Sequence, residues 1–220
     1  MALRPIITGA TGMVGEGVLH ICLQDPRVES VLVVGRKSCS VQHPKLKEVL
    51  HQDLLDLSPI EKELKGYNAC FFCLGVSSVG MKEEQYRRLT YDLTMQMANT
   101  LVRHSPEMTF CYVSGSGTDG SEKGRSMWAR VKGKTENDLL AMPFKAAYMF
   151  RPGYIQPMKG MKNTYRIYKA LGFLYPVLEA LFPRFVCRLD EIGRAMIEVS
   201  IDGDEIKVLE CVDIRRLGQE

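Results

Sequence analysis

The segment Arg4-Pro5-Ile6-Ile7-Thr8-Gly9-Ala10-Thr11-Gly12-Met13-Val14-Gly15 limits what this chain can fold into more than any other stretch. A short apolar run enters three closely spaced glycines, and an amphipathic stretch then continues to Asp25-Pro26, which predicts strand, tight turn and helix. Gly9 permits the turn, Gly12 lets backbone N–H groups approach an anion, and Gly15 allows close helix-to-strand packing. Thr11, Met13 and Val14 complete a helix N-terminus that faces negative charge. A second apolar run, Val28 to Gly35, follows at the spacing of a βαβ unit. In that context the glycines predict a cradle for a dinucleotide pyrophosphate; the bland alternative is a glycine-rich turn in another α/β protein.

The end of the second strand predicts which dinucleotide. An Asp or Glu there would bond both ribose hydroxyls of NAD, but this chain has Gly35-Arg36-Lys37. A guanidinium grips a 2′-phosphate bidentately, and no carboxylate repels it, so NADP is expected over NAD. Solvated strand-end charges are the alternative for Arg36 and Lys37.

Further along, apolar strand patterns at Leu46 to Gln52, Ala69 to Gly75, Met108 to Ser114, Lys145 to Arg151 and Ile206 to Cys211 alternate with helical ones at Lys82 to His104, Ser126 to Met142 and Glu191 to Ile201. This predicts an α/β fold, a three-layer doubly wound parallel sheet (Rossmann fold) of about seven strands with a small C-terminal helical lid. Residues 1–220 read as a single domain without linker or repeat. Residues 152–176, with a helical pattern around Tyr165 to Leu171, read as a loop-and-helix excursion from the sheet, and residues 154–185 as a substrate lid or pocket segment. The chain has 220 residues and 45% hydrophobic content, enough to bury roughly 70–75% of its unfolded surface without a staple or metal.

The net charge of +3 comes without runs of like charge, so a nucleic-acid partner has no support. Seven cysteines sit mostly inside apolar segments, as in a reducing compartment. Cys70 and Cys73 match a C-x-x-C spacing, but three residues along a strand put them on opposite faces, and no metal site is expected. There is no secretory leader pattern and no apolar stretch approaching roughly 18 residues, so a soluble, cytoplasmic protein without a membrane span is expected.

Ligands of such sheets bind outside the carboxyl ends of the strands. Asp53-Leu54 would frame an adenine, Leu74-Gly75-Val76-Ser77 would lie along the cofactor, Ser114-Gly115-Ser116-Gly117 would sit near the reacting end, and Arg151-Pro152-Gly153-Tyr154 beside the nicotinamide. Any one of these is a turn signal by itself; their recurrence at successive strand ends gives them weight.

The residues Thr8 to Gly15, Gly35-Arg36, Tyr112-Val113-Ser114-Gly115-Ser116, Val131-Lys132-Gly133-Lys134-Thr135-Glu136 and Phe150-Arg151-Pro152-Gly153 together resemble the atypical short-chain dehydrogenase/reductases, nearest the Tat-interacting-protein-like oxidoreductase and NmrA-like branches. The resemblance runs from Ile6 to about Leu209. It implies a Rossmann fold, NADP binding and carbonyl or related redox chemistry by Ser, Tyr and Lys, with Tyr four residues before Lys. Ser114 and Lys132 match that set, but Trp128 stands in the tyrosine's place. An indole N–H donates a hydrogen bond and is no usable acid. Trp128 would orient a substrate, Lys132 would bond the nicotinamide ribose, and Ser114 would polarise a carbonyl. The proton would come from water, Ser116, Tyr112, Tyr148 or Tyr154, or an electron-poor acceptor such as a quinone would need less of one.

Two functions therefore stay open. One is an NADPH-dependent oxidoreductase whose unidentified small-molecule substrate is apolar or aromatic, given Tyr154, Tyr165, Tyr168, Phe173, Tyr175, Phe182 and Phe185. The other is a catalytically silent NADPH-binding regulator that reports to a protein partner through residues 154–185. Pairing of two copies through the helices at 82–104 and 126–142 is left open as well.

Overall fold

A computed structural model describes residues 2–161, 163 and 175–219. The glycine turn sits where the sequence puts it, between strand β1 (Pro5–Thr8) and helix α1 (Met13–Gln24). The chain then runs through β2 (Val31–Gly35), β3 (Leu46–Leu50), a 3-10 turn (Ser58–Leu64) and β4 (Ala69–Phe72). Next come α2 (Glu83–Arg87), a π-helical turn (Arg88–Asp92), α3 (Leu93–His104), β5 (Thr109–Val113), α4 (Met127–Leu140) and β6 (Ala146–Arg151). After β6 follow β7 (Tyr154–Gln156), α5 (Tyr175–Leu181), β8 (Val186–Arg188), α6 (Leu189–Ile201), β9 (Val208–Glu210) and α7 (Cys211–Gly218).

Seven strands form one parallel sheet in the order β3-β2-β1-β4-β5-β6-β9. The winding reverses between β1 and β4, so the carboxyl ends of the two open a crevice at a topological switch point. Register fixes its mouth: Thr8 lies opposite Val34 of β2 and Phe72 of β4.

Both faces of the sheet are covered, which is why the strands read as continuous apolar runs. Ile7, Val33, Phe71 and Phe150 face a core shared with α1, α6 and α7, whereas Ile6, Leu32, Val34, Phe72 and Tyr112 face a second core beneath the 3-10 turn and α3. Each fully buried Ile, Leu or Phe contributes about 1.5–3 kcal/mol. Cys70 belongs to the second core and Cys73 packs against the first, on opposite faces.

The expected elements differ in four places. The helix from Lys82 to His104 is interrupted by the π turn. The strand expected at Ile206 to Cys211 is only β9, because Glu210 caps a helix at once, its N–H donating to Asp213 Oδ2 at 3.0 Å. The 154–185 segment is anchored by a two-stranded parallel sheet of β7 and β8 and is not simply helical; the helical pattern at Tyr165 to Leu171 lies outside the described residues. The strand at Ala69 to Gly75 ends at Phe72. Among the described residues no helix is long and apolar enough to cross a membrane.

Candidate functional site

The cradle depends on two glycines. Gly9 adopts φ +71°, and a Cβ there would lie 2.7 Å from the Cys73 carbonyl oxygen. At Gly15 a Cβ would come within 2.2 Å of the Gly9 carbonyl oxygen, so α1 packs onto the turn only without a side chain. Gly12 N-caps α1 in extended conformation with no side-chain cap, leaving the first N–H groups of Met13, Val14 and Gly15 for an anion. Glu16, the acid of this first turn, points to the Asn163 N–H at 2.8 Å. The side chains of Met13 and Val14 pack into the core.

Two adjoining cavities extend from the turn along the strand ends. One, of about 360 Å³, is lined by Gly9, Thr11, Arg36, Lys37, Gln52, Leu54 and Leu74. The other, of about 330 Å³, shares Arg36, Gln52, Leu54 and Leu74 and adds Asp53, Val76, Gln85, Arg88 and Leu89. The structure thus brings together Gly9, Thr11, Arg36, Lys37, Asp53, Leu54, Leu74 and Val76, which the sequence singles out, and adds Gln52, Gln85 and Arg88, which it does not. Gly75 lies between Leu74 and Val76 with open space where a Cβ would be. A pyrophosphate fits the bare α1 terminus and an adenosine fits the cavities beyond it.

The reacting end is arranged differently from expectation. Ser114 follows β5 and is 5% exposed; its hydroxyl donates to Glu136 Oε1 and lies 3.1 Å from the Phe150 carbonyl oxygen. Glu136, whose side chain is 1% exposed, also takes a forked ion pair from Arg151, whose Nε lies 3.0 Å from Oε1 and 3.1 Å from Oε2. A second carboxylate, Glu210, lies 3.5 Å from Arg151 Nη1. Ser114 is therefore turned toward Glu136, and Arg151 pairs with two glutamates: the buried Glu136 must be satisfied, and these are the groups that satisfy it. Pro152 is buried and Gly153 donates its N–H to Cys211 Sγ at 3.2 Å, so both shape the loop after β6.

Lys132 lies on α4 with its Nζ donating to the Ser114 carbonyl oxygen. Burial pushes its ammonium down to about 8, against the opposing pull of Glu136. Trp128, one turn earlier on α4, lies over the strand-end loop, its ring 3.6 Å from where a Gly117 Cβ would be. The loop is stitched to the next strand end by Ser116 N–H donating to the Pro152 carbonyl at 2.9 Å. Ser116 is half-buried in this loop.

Of the tyrosines weighed as proton donors, Tyr112 is 1% exposed and burial pushes its phenol far up. Tyr148 is also 1% exposed, and its hydroxyl is engaged with Asp204 and Lys207. Neither is placed to act as an acid in the crevice. Tyr154 is half-buried, its hydroxyl 3.2 Å from Gln156 Oε1.

Comparison with known proteins agrees with this geometry. The profile of the NAD dependent epimerase/dehydratase family matches residues 6–137. In Scheffersomyces stipitis, the mitochondrial protein FMP52-2 is 30% identical over 70% of this chain and 67% of its own length. The mitochondrial protein FMP52-1 of the same yeast is 25% identical over 99% of this chain and 98% of its own. A Burkholderia cenocepacia short chain dehydrogenase, solved in complex with NADP, superposes with a TM-score of 0.67 at 14% identity, covering 94% of this chain and 87% of that one. These mitochondrial names overturn the expectation of a cytoplasmic protein, which rested on nothing firmer than reduced cysteines and the lack of a leader pattern. The glycine cradle, the sheet order and the profile match converge: this chain belongs to the NAD dependent epimerase/dehydratase family.

Proposed function

We propose that the protein is an NADP(H)-dependent oxidoreductase acting on a small apolar or aromatic carbonyl or quinone-type substrate. The observation that carries this reading is the pair of adjoining cavities in which Arg36 and Lys37 stand where an NAD-selective chain needs a carboxylate. The α1 N-terminus and the Thr11 turn would hold the pyrophosphate, Arg36 the 2′-phosphate, and Asp53 with Leu54 and Leu74 the base. When bound, the nicotinamide supplies a hydride. Trp128 covers the strand-end loop and orients the substrate by stacking. Lys132, its ammonium pushed down to about 8 by burial, would hold the ribose side of the crevice, and the proton that the substrate oxygen takes up would come from water or the Ser116 hydroxyl. We take mitochondria as the compartment on the strength of the relatives' names.

A second reading has its own support: with Trp128 in place of an acid and the Ser114 hydroxyl turned to Glu136, the scaffold also suits a silent NADPH-binding regulator that signals to a protein partner. The two part on one experiment. NADPH oxidation is followed over quinones, aldehydes and ketones for the wild type, Lys132→Ala and Trp128→Tyr. Wild-type turnover that falls at least about 100-fold in Lys132→Ala is expected for the enzyme. Activity seen only in Trp128→Tyr would establish the regulator.

Cofactor choice has a separate check by titration. Arg36→Ala should weaken NADPH by roughly 10- to 100-fold, as loss of a charge-assisted contact does, and NADH far less. Equal losses would sink the phosphate assignment.

A further inference from the structure

The outer cavity carries a second guanidinium that the reading above does not use. Arg88 opens the π-helical turn, an irregularity frequent at functional positions in helices. Around it Tyr86 and Thr90 are buried, whereas Gln85, Arg88, Leu89 and Leu93 line the cavity. Its neighbour Arg87 lies over the Tyr91 ring at 5.2 Å. No hydrogen bond or ion pair engages the Arg88 side chain among the described residues.

The two cavities differ in chemistry. Arg36 lines both, Lys37 lines only the one at the glycine turn, and Arg88 lines only the outer one, together with Leu54, Leu55, Leu74, Val76, Leu89 and Asp53, whose Oδ1 accepts from the Leu55 N–H at 2.9 Å. A carboxylate repels a phosphate and accepts from an amino group, and an apolar lining suits a flat ring. The outer slot therefore suits a base, and it has Arg88 among its lining residues where the cavity at the glycine turn has Lys37.

We propose that Arg88 is an adenine-binding residue, its planar guanidinium covering one face of the base in the slot lined by Leu54, Leu74 and Leu89. This rests on the dinucleotide reading of the crevice. It makes Arg36 and Arg88 separable: Arg36 selects the 2′-phosphate, while Arg88 adds affinity that every adenine dinucleotide shares.

Dissociation constants for NADPH and NADH, measured by calorimetry on the wild type, Arg36→Ala, Arg88→Ala and Arg88→Lys, test this. Arg88→Ala should weaken both cofactors by the same factor, roughly 3- to 10-fold, and leave the NADPH preference intact. Arg88→Lys should recover little, since an ammonium lacks the planar face. No effect of Arg88→Ala, or a loss confined to NADPH, overturns the assignment while leaving the dinucleotide site standing. A wild type that binds neither cofactor removes the dinucleotide reading and this inference with it. Because Arg88 is exposed, its variants should keep the wild-type melting temperature, which separates a lost contact from a lost fold.

Discussion

A carboxylate buried as deeply as Glu136 persists in a fold only when its lone pairs are taken up, and Ser114 and Arg151 take them up from two different strand ends. Glu136→Ala should therefore cost about 3–5 kcal/mol, because it removes the buried carboxylate that Arg151 and Ser114 both hold and, among the described residues, leaves the guanidinium only Glu210 at 3.5 Å. Denaturant unfolding should show the midpoint falling with the slope unchanged. Ser114→Ala should cost only about 1–2 kcal/mol and spare turnover; abolished turnover in a stable Ser114→Ala protein would return that hydroxyl to the chemistry. Lys132 has a signature in pH. Its folded value near 8 lies below the ordinary lysine range, so between about 8 and 10.5 the unfolded chain binds more protons and stability rises with pH. Lys132→Met should be more stable than wild type at pH 7, by about 2–3 kcal/mol at most. That advantage should shrink as pH climbs through this window, read from denaturant midpoints. That Arg36 lines the cavities at the strand ends is legible from its place just after β2. The burial of Ser114 is not, since its partner is 22 residues away on another element and nothing local announces the pairing.

At the level of elements, the βαβ unit that carries the cradle is written in the sequence almost completely, because one rule of spacing fixes strand, turn and helix together. The small β7–β8 sheet is not, for strands of three residues hold too little period to be read and gain their pairing from elsewhere in the fold. The π turn is likewise silent in sequence, although it lies in the α2–α3 stretch whose Gln85, Arg88, Leu89 and Leu93 line the outer cavity. The start of α7 could have been found: Glu210 followed three residues later by Asp213 is a capping pattern of the box type. The tight seat of α1 makes its own prediction. A methyl group at Gly15 has no room beside the Gly9 carbonyl. Gly15→Ala should lower stability by about 1–3 kcal/mol and NADPH affinity by at least about tenfold through the displaced turn. Far-UV circular dichroism should stay unchanged.

Taken as a whole, the molecule places every proposed cofactor contact on the folded side of its unfolding equilibrium. NADPH at about 100 times its dissociation constant should add about 2.7 kcal/mol, raising the melting temperature of this 220-residue chain by about 5–10 °C, with a smaller rise for NADH at the same concentration. Equal shifts would speak against the arginine-based preference.

The sheet order has a consequence beyond ligand binding, because a seven-stranded open sheet has two rims at which a stray strand from another molecule could add. At one rim, β3 exposes Lys47 and ties Glu48 to Ser38 and Cys39 of the preceding loop, at 2.7 and 2.8 Å, so an incoming backbone meets charge and an occupied flank. At the other, β9 is three residues long and turns straight into α7. Each rim is too short or too polar to template growth. A chain whose interior is made of long-range parallel pairings, and which must therefore linger half-assembled as it folds, is in this way guarded against clumping with its own copies.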